Sequence, residues 1–177
     1  RDFTMNALYA DGTGQVIDPL GGLPDLMARR VRFVGEPADR IREDYLRILR
    51  FFRFHAIYGD PHQGPDAEGL AACADHADGL DTLSRDRVGH EMRKLLAARD
   101  PAPAVATMQA TGILARVLPG ADGQALARLV HLEDGLAPDW LRRLACLGGV
   151  NVAQALRLSR DEAKRLVILS EAVGALI

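Results

Sequence analysis

The sequence predicts a mainly α protein, with a small α/β portion over residues 1–36 and helices from there to the end. Three observations predict it. Arg40–Phe54, RIREDYLRILRFFRF, places Ile41, Tyr45, Ile48 and Phe52 at i, i+4, i+7 and i+11, one apolar stripe of an amphipathic helix. From Asp66 onward apolar residues keep helical spacing between short loops that carry helix start and stop residues. Only Gln15–Ile17 and Val31–Val34 read as strands, and both are short.

Taken in order, Arg1–Tyr9 opens a short helix, and Asp2, just before Phe3-Thr4, suits an N-cap. Ala10–Gly14 is a turn. Gly21 and Gly22 permit a hinge or tight turn ahead of a helix over Leu23–Ala28. Gly35-Glu36-Pro37 turns into one long helix that starts at or just after Pro37 and ends near Tyr58. Gly59–Pro65, with two prolines and two glycines, makes the best boundary, so the chain divides into 1–36, 37–60 and 61–177. Helices are expected at Asp66–His76, Ser84–Ala98, Pro101–Thr111, Ile113–Leu118, Asp122–Glu133, Pro138–Leu147, Val150–Leu158 and Asp161–Ile177. Asp100-Pro101, Pro138 as a first helical residue and the Ser159-x-x-Glu162 capping box are the start signals, and Gly148-Gly149 is a stop. Trp140 and the C-terminal apolar stripe read as core.

Composition is that of a globular protein: 48% hydrophobic and 26% charged residues, with a formal net charge of −2. The distribution of charge is more telling. Arg29–Phe54 holds eight arginines against Glu36, Asp39, Glu43 and Asp44, so this segment is positive in an otherwise acidic chain and suits a phosphate-bearing partner. Cys73 and Cys146 form no metal or redox spacing, no apolar run is long enough to span a bilayer, and a reduced cytoplasmic protein is the simple reading. His90-Glu91 lacks the second histidine of a zinc helix, since Lys94 stands four residues on. Arg rather than Met stands first, and EAVGALI ends without a capping signal, which together read as a piece of a longer protein.

On the expected long helix, Arg40, Asp44 and Arg47 form a second stripe, with Arg50 adjoining. A carboxylate only accepts hydrogen bonds and a guanidinium only donates them. Side by side they match a base edge that offers an amino donor beside a ring acceptor, as cytosine and adenine do and guanine and uracil do not. Exchanging the two residues would invert that order. The plain alternative is an i,i+3 salt bridge on a solvated face, worth about 0.2–0.5 kcal/mol. Arg85, Arg87, Arg93 and Lys94 divide in the same way, between RNA backbone contacts and a solvated face.

RDFTMNALY at the start, DPLGGLPDL at Asp18–Leu26 and EDYLRILRFFRF at Glu43–Phe54 resemble, in this order and spacing, successive motifs of class II tRNA nucleotidyltransferases. These are the CCA-adding enzymes and their relatives, the bacterial poly(A) polymerases. Glu43, Asp44, Arg47, Arg50, Arg53 and Phe54 fill every specified position of the third motif. SRDRVGHEMRKLL at Ser84–Leu96 is a weaker fourth match, with Asp86 where the family has Glu. The specific part of the resemblance covers about the first hundred residues.

The resemblance implies an end portion of a nucleotidyltransferase head over 1–36, a neck helix with the nucleotide-selecting motif over 37–60, and a helical neck and body over 61–177. It implies addition of C, C and A to tRNA 3′ ends from CTP and ATP, with the acceptor end of tRNA as partner. Asp44 and Arg47 would select the base, Arg50 and Arg53 would position or touch phosphates, Arg1 would meet the nucleotide phosphates and Asp2 the ribose. Mg2+ would be bound by a head motif, G-S-x-x-D-x-D, that is absent here and expected upstream of Arg1. No catalytic carboxylate or metal ligand is therefore assigned, and the piece alone is expected to be inactive. A poly(A) polymerase or A-adding enzyme of the same fold is the alternative. A non-catalytic helical RNA-binding or scaffold module is the alternative from another class.

Overall fold

Phe3 and Phe33 tie the start of the chain to a segment thirty residues on. In a computed structural model that describes residues 1–174, the two residues form a single antiparallel bridge. Thr4 N donates to Arg32 O at 2.9 Å and Val34 N to Asp2 O at 3.0 Å. The strand expected at Val31–Val34 is reduced to this bridge, because its neighbours do not continue the ladder. Tyr9–Ala10 (β1) pairs antiparallel with Val16–Ile17 (β2). Asp11 holds the turn between them by accepting from Thr13 N and Gln15 N.

The first helical turn is a 3-10 turn over Thr4–Asn6 with Phe3 at its cap position. The N-cap reading of Asp2 does not hold, since its carboxylate is turned to two arginines described below. The glycine pair makes a tight approach. Gly21 adopts φ +65°, and a Cβ on Gly22 would lie 2.0 Å from the Thr4 carbonyl oxygen. Asp18 caps the helix that follows, Gly22–Met27 (α1), by accepting from Gly22 N and Leu23 N. Gly22→Ala is therefore expected to destabilise the chain by about 1–3 kcal/mol, because backbone must move to admit the methyl group. Thermal unfolding checks it, and an unchanged midpoint would show that the loop yields freely.

Asp44 breaks the helix predicted across it. Pro37–Glu43 (α2) and Leu46–Tyr58 (α3) are separate, with Asp44 between them at φ −159° and ψ 105°. The break has a local cause. Asp44 Oδ1 accepts from Leu46 N at 3.1 Å, and Arg47 N returns to Asp44 O at 3.0 Å. An aspartate that bonds the backbone two residues on competes with helix continuation and favours a new start. The buried stripe survives, for Ile41, Ile48 and Phe52 are fully buried and Tyr45 packs beside them.

The remainder is helical: Ala67–Asp75 (α4), Arg85–Leu96 (α5), Ala102–Ala110 (α6), Ile113–Val117 (α7), Leu126–Leu132 (α8), Trp140–Leu147 (α9), Val152–Ala155 (α10) and Arg160–Gly174 (α11). Asp66, Ser84 and Asp139 cap their helices by side-chain hydrogen bonds. Ser159 and Glu162 form the expected reciprocal box. Asp139, rather than Pro138, starts α9, and a 3-10 segment at Ala77–Thr82 had no periodic signal to reveal it. The helices expected at Asp122–Glu133 and Val150–Leu158 are shorter than their apolar spacing suggests. The last three residues of the helix expected at Asp161–Ile177 lie outside the described residues.

α3 packs on α5 and α6, α5 on α9, and α9 on α11. The aromatic rings of Phe3, Phe33, Phe51 and Phe54 join the first thirty-odd residues to α3, with centroids 4.8 Å apart for Phe3–Phe54 and 5.4 Å for Phe33–Phe51. Cys73 is in the core and Cys146 is half-buried, both as free thiols. The C-terminal stripe is only partly core: Leu166 is buried, but Val167 and Ile168 are exposed. Among the described residues no helix is long and apolar enough to cross a membrane.

Candidate functional site

Three of the six residues expected to handle a nucleotide, Asp2, Arg47 and Arg50, meet at one place, where the N-terminal segment rests on the start of α3, and Asp44 stands beside it. Asp2 is the junction. Its Oδ1 accepts from Arg47 Nε at 2.9 Å, and its Oδ2 lies 2.7 Å from Arg50 Nη2. The Phe3–Phe33 bridge and the aromatic cluster fix the backbone of Asp2, while the i,i+3 spacing of Arg47 and Arg50 aims both side chains at it.

Arg47 is held on three sides. Besides Asp2, its Nη1 donates to Glu43 Oε2 and to the Arg40 carbonyl, each at 2.6 Å. Burial alone would push the pKa of this guanidinium down, but the hydrogen bonds to Glu43 and then Asp2 outweigh it and hold it above its ordinary value. The same bond to Arg47, supported by Arg40 and opposed by desolvation, keeps the Glu43 carboxyl below the usual carboxylate range. Arg47 Nη2 carries no protein partner among the described residues.

Asp44 stands one turn before Arg47, at the break between α2 and α3. Its Oδ1 caps α3 through Leu46 N, and its Oδ2 accepts from Arg87 Nη2 of α5 at 2.7 Å. The carboxylate keeps about a third of its surface open, with its side chain 30% exposed. Asp44 and Arg47 are therefore neighbours across a helix start, not on one continuous helical face. Each is fixed by partners other than the other, so the i,i+3 salt bridge between them is not made.

Arg1 and Arg53 take different places. Arg1 is exposed, and among the described residues only its carbonyl is engaged, by Arg40 Nη2 at 3.0 Å. Arg53 turns away from Asp2 to α5, where its Nε lies 2.7 Å from Glu91 Oε2 and its guanidinium covers the Phe54 ring. The Arg50–Asp2 and Arg53–Glu91 pairs are close ionic contacts without aligned N–H bonds. Buried Asp2 Oδ2, Arg50 Nε, Arg53 Nε and Glu91 Oε2 accordingly retain hydrogen-bonding capacity. Of the four basic residues that divided between RNA and solvent, Arg87 is bound to Asp44, and Arg93 to Glu162 with its guanidinium over Trp140.

The sequence placed Arg40 in the second stripe, Glu43 in the third motif and Arg87 between RNA and solvent, but gave none of them the task of orienting Asp44 and Arg47, and gave Glu91 no role at the site. The i,i+4 spacing of Glu43 and Arg47 carried a signal for one of these contacts. Arg40 with Glu43, at i,i+3, carried another, whereas the contacts of Arg87 and Glu91 join residues far apart in sequence and had none. The carboxylates at the site, Asp2, Glu43 and Asp44, all face arginines, and no group of three or more His, Cys, Asp or Glu side chains among the described residues is placed to hold a metal ion. These residues do not fit a divalent-metal site.

Residues 1–32 match the family model described as the poly A polymerase head domain, and residues 65–124 match that of the probable RNA and SrmB-binding site of polymerase A. The CCA-adding enzyme of Streptococcus gordonii is 36% identical over 98% of this chain and 45% of its own length. The human mitochondrial CCA tRNA nucleotidyltransferase 1 is 43% identical over 54% of this chain and 22% of its own. The crystal structure of the Bacillus stearothermophilus CCA-adding enzyme in complex with CTP superimposes with a TM-score of 0.73 at 27% identity, over 99% of this chain and 46% of that one. The Thermotoga maritima CCA-adding enzyme complexed with tRNA shares the fold at a TM-score of 0.73 and 19% identity, over 99% and 48%. The chain spans less than half the length of these relatives.

Proposed function

This chain belongs to the CCA-adding enzyme family, and from that premise we propose that the full-length protein appends C, C and A to tRNA 3′ ends from CTP and ATP, with this portion selecting the base. The observation that carries the reading is Arg47, fixed by Asp2, Glu43 and the Arg40 carbonyl one turn after an accessible Asp44 carboxylate. A donor and an acceptor held in that way form a template for the amino-plus-ring-nitrogen edge of cytosine and adenine. Orientation is set before the nucleotide arrives, so little ordering remains to be done on binding.

The other residues take roles in keeping with where they lie. Asp2 Oδ2, buried and without an aligned donor, accepts a ribose hydroxyl. Arg50, beside it and a third exposed, and Arg1, at the surface, face the phosphates. Arg53 is turned to Glu91 and positions α3 against α5. The partner of the site is the acceptor end of tRNA, supported by the RNA-binding family match over 65–124. The family matches end at 32 and resume at 65, which supports a head portion over 1–36, a neck over 37–60 and a neck and body over 61–177. The sequence holds no G-S-x-x-D-x-D motif, so on this reading the Mg2+-binding carboxylates are supplied by the head upstream of Arg1, and these 177 residues alone are expected to transfer no nucleotide.

The test supplies the full-length protein with magnesium, a tRNA lacking its 3′ CCA, and CTP and ATP separately and together. Addition of C, C, A in that order is the expected result. Long adenosine tails, or a single A added only after CC, would assign a narrower enzyme of the same fold. No extension under any mixture would leave a helical RNA-binding module.

A further inference from the structure

At the opposite end of α3 from Asp44, roughly 20 Å along the helix, lies a second cavity of about 300 Å³. It opens between the end of α3, the loop at Gly59–Pro61 and the start of α6. His55, Arg29 and Arg99 bring its basic groups, Asp100 its acidic one, and Pro61 and Pro103 part of its apolar wall.

Three features are not accounted for by folding alone. His55 is 5% exposed, yet its ring makes no hydrogen bond to protein among the described residues, so a buried polar group borders the cavity without a partner. Arg99 is exposed and forms no ion pair among the described residues. Arg29 adopts φ +53°, a conformation that bulky side chains rarely take. There it donates to the Tyr58 carbonyl at 3.3 Å and the Gly59 carbonyl at 2.9 Å, leaving its Nη1 uncommitted.

We propose that this cavity is a phosphate-binding site in which His55, Arg29 and Arg99 supply the donors. A helix C-terminus repels anions, but Arg29 already occupies the last carbonyls of α3. The N-terminus of α6 on the other wall favours negative charge. Asp100 opposes it, though its Oδ1 is engaged as a cap by Ala102 N at 3.0 Å. Apolar walls strengthen each charge-assisted bond by excluding water. The ligand class is a phosphate group, carried by an RNA backbone or as the free ion. The site is independent of base selection by Asp44 and Arg47.

The test uses histidine-ring NMR on the full-length protein, with the His55 signals assigned from His55→Gln. Burial holds the pKa of His55 below its ordinary value, against the field of Asp60. A bound anion must raise it, with Asp60, Asp100, Arg29 and Arg99 as the other charges in reach. Inorganic phosphate is expected to move the His55 resonances and raise that pKa, while chloride at equal ionic strength does neither. Arg99→Gln, at an exposed position that leaves the fold alone, is expected to weaken phosphate binding roughly tenfold. Competition by a short single-stranded RNA would identify the backbone as the source; phosphate binding without competition would identify the free ion. Resonances unmoved by phosphate, an equal response to chloride, or unchanged affinity in Arg99→Gln would overturn the proposal.

Discussion

Asp44→Asn in the full-length protein is expected to cut incorporation of both C and A by roughly 5- to 150-fold, the equivalent of one good base-edge contact. It should do so with little loss of stability. Asparagine caps a helix about as well as aspartate, so the bond from Leu46 N that starts α3 can be kept. What changes is the outer edge of the side chain. An amide can turn its NH2 toward the base, setting donor against donor at the amino group of cytosine or adenine. The pair would then no longer match the amino-plus-ring-nitrogen edge that cytosine and adenine share, and selectivity would fall rather than reverse. Single-nucleotide incorporation measured with each of the four triphosphates checks this. Unchanged preference for CTP and ATP would sink the base-edge assignment.

The exchange of Asp44 and Arg47 makes a poorer test than the sequence suggests. An aspartate at position 47 would stand beside Asp2 and Glu43, three carboxylates where the structure has two bonded to a guanidinium. Repulsion there would disturb the junction before any base was read. The substitution at Asp44 alone is free of that fault, because Asp44 faces Arg87 and solvent rather than the buried side of the array.

That contrast marks how far the sequence could be read. The stripe of Ile41, Ile48 and Phe52 and the Ser159–Glu162 box are local patterns, and both are found as expected. Asp44 and Arg47 were legible as a pair, but the geometry between them was not. A helical reading spread over both residues, while an Asp side chain bonding its own neighbour's N–H ended one helix and began another. Asp2 was read as a cap for the same reason: capping is visible from sequence alone, whereas its bond to Arg47 spans 45 residues. Arg143 left no trace at all. In WLRRLACL it looks like one more surface arginine of α9.

Arg143→Met is expected to cost this chain about 3–5 kcal/mol, the largest stability effect of any substitution considered. Arg143 is 1% exposed, the largest fully buried side chain among the described residues. Its guanidinium donates to Glu133 at 2.8 Å and to the carbonyls of Leu96, the last residue of α5, and of Ala98 and Arg99 just beyond it. One side chain thus caps a helix, satisfies a buried carboxylate and fastens α9 to α5. Methionine fills most of the volume but bonds none of these groups, leaving the carbonyls desolvated and unpaired. Glu133 would keep Arg142, at 2.7 Å, as its remaining partner. Urea unfolding followed at Trp140, the only tryptophan in the sequence, measures the loss. The double variant Arg143→Met with Glu133→Leu separates the two parts of the cost. Replacing both ions relieves the carboxylate, as with other buried ion pairs, but leaves the three carbonyls as they were. Recovery of only part of the stability is therefore expected. Full recovery would show that the ion pair was the whole of the effect, and a loss below about 1 kcal/mol in the single variant would show that water replaces Arg143 at the end of α5.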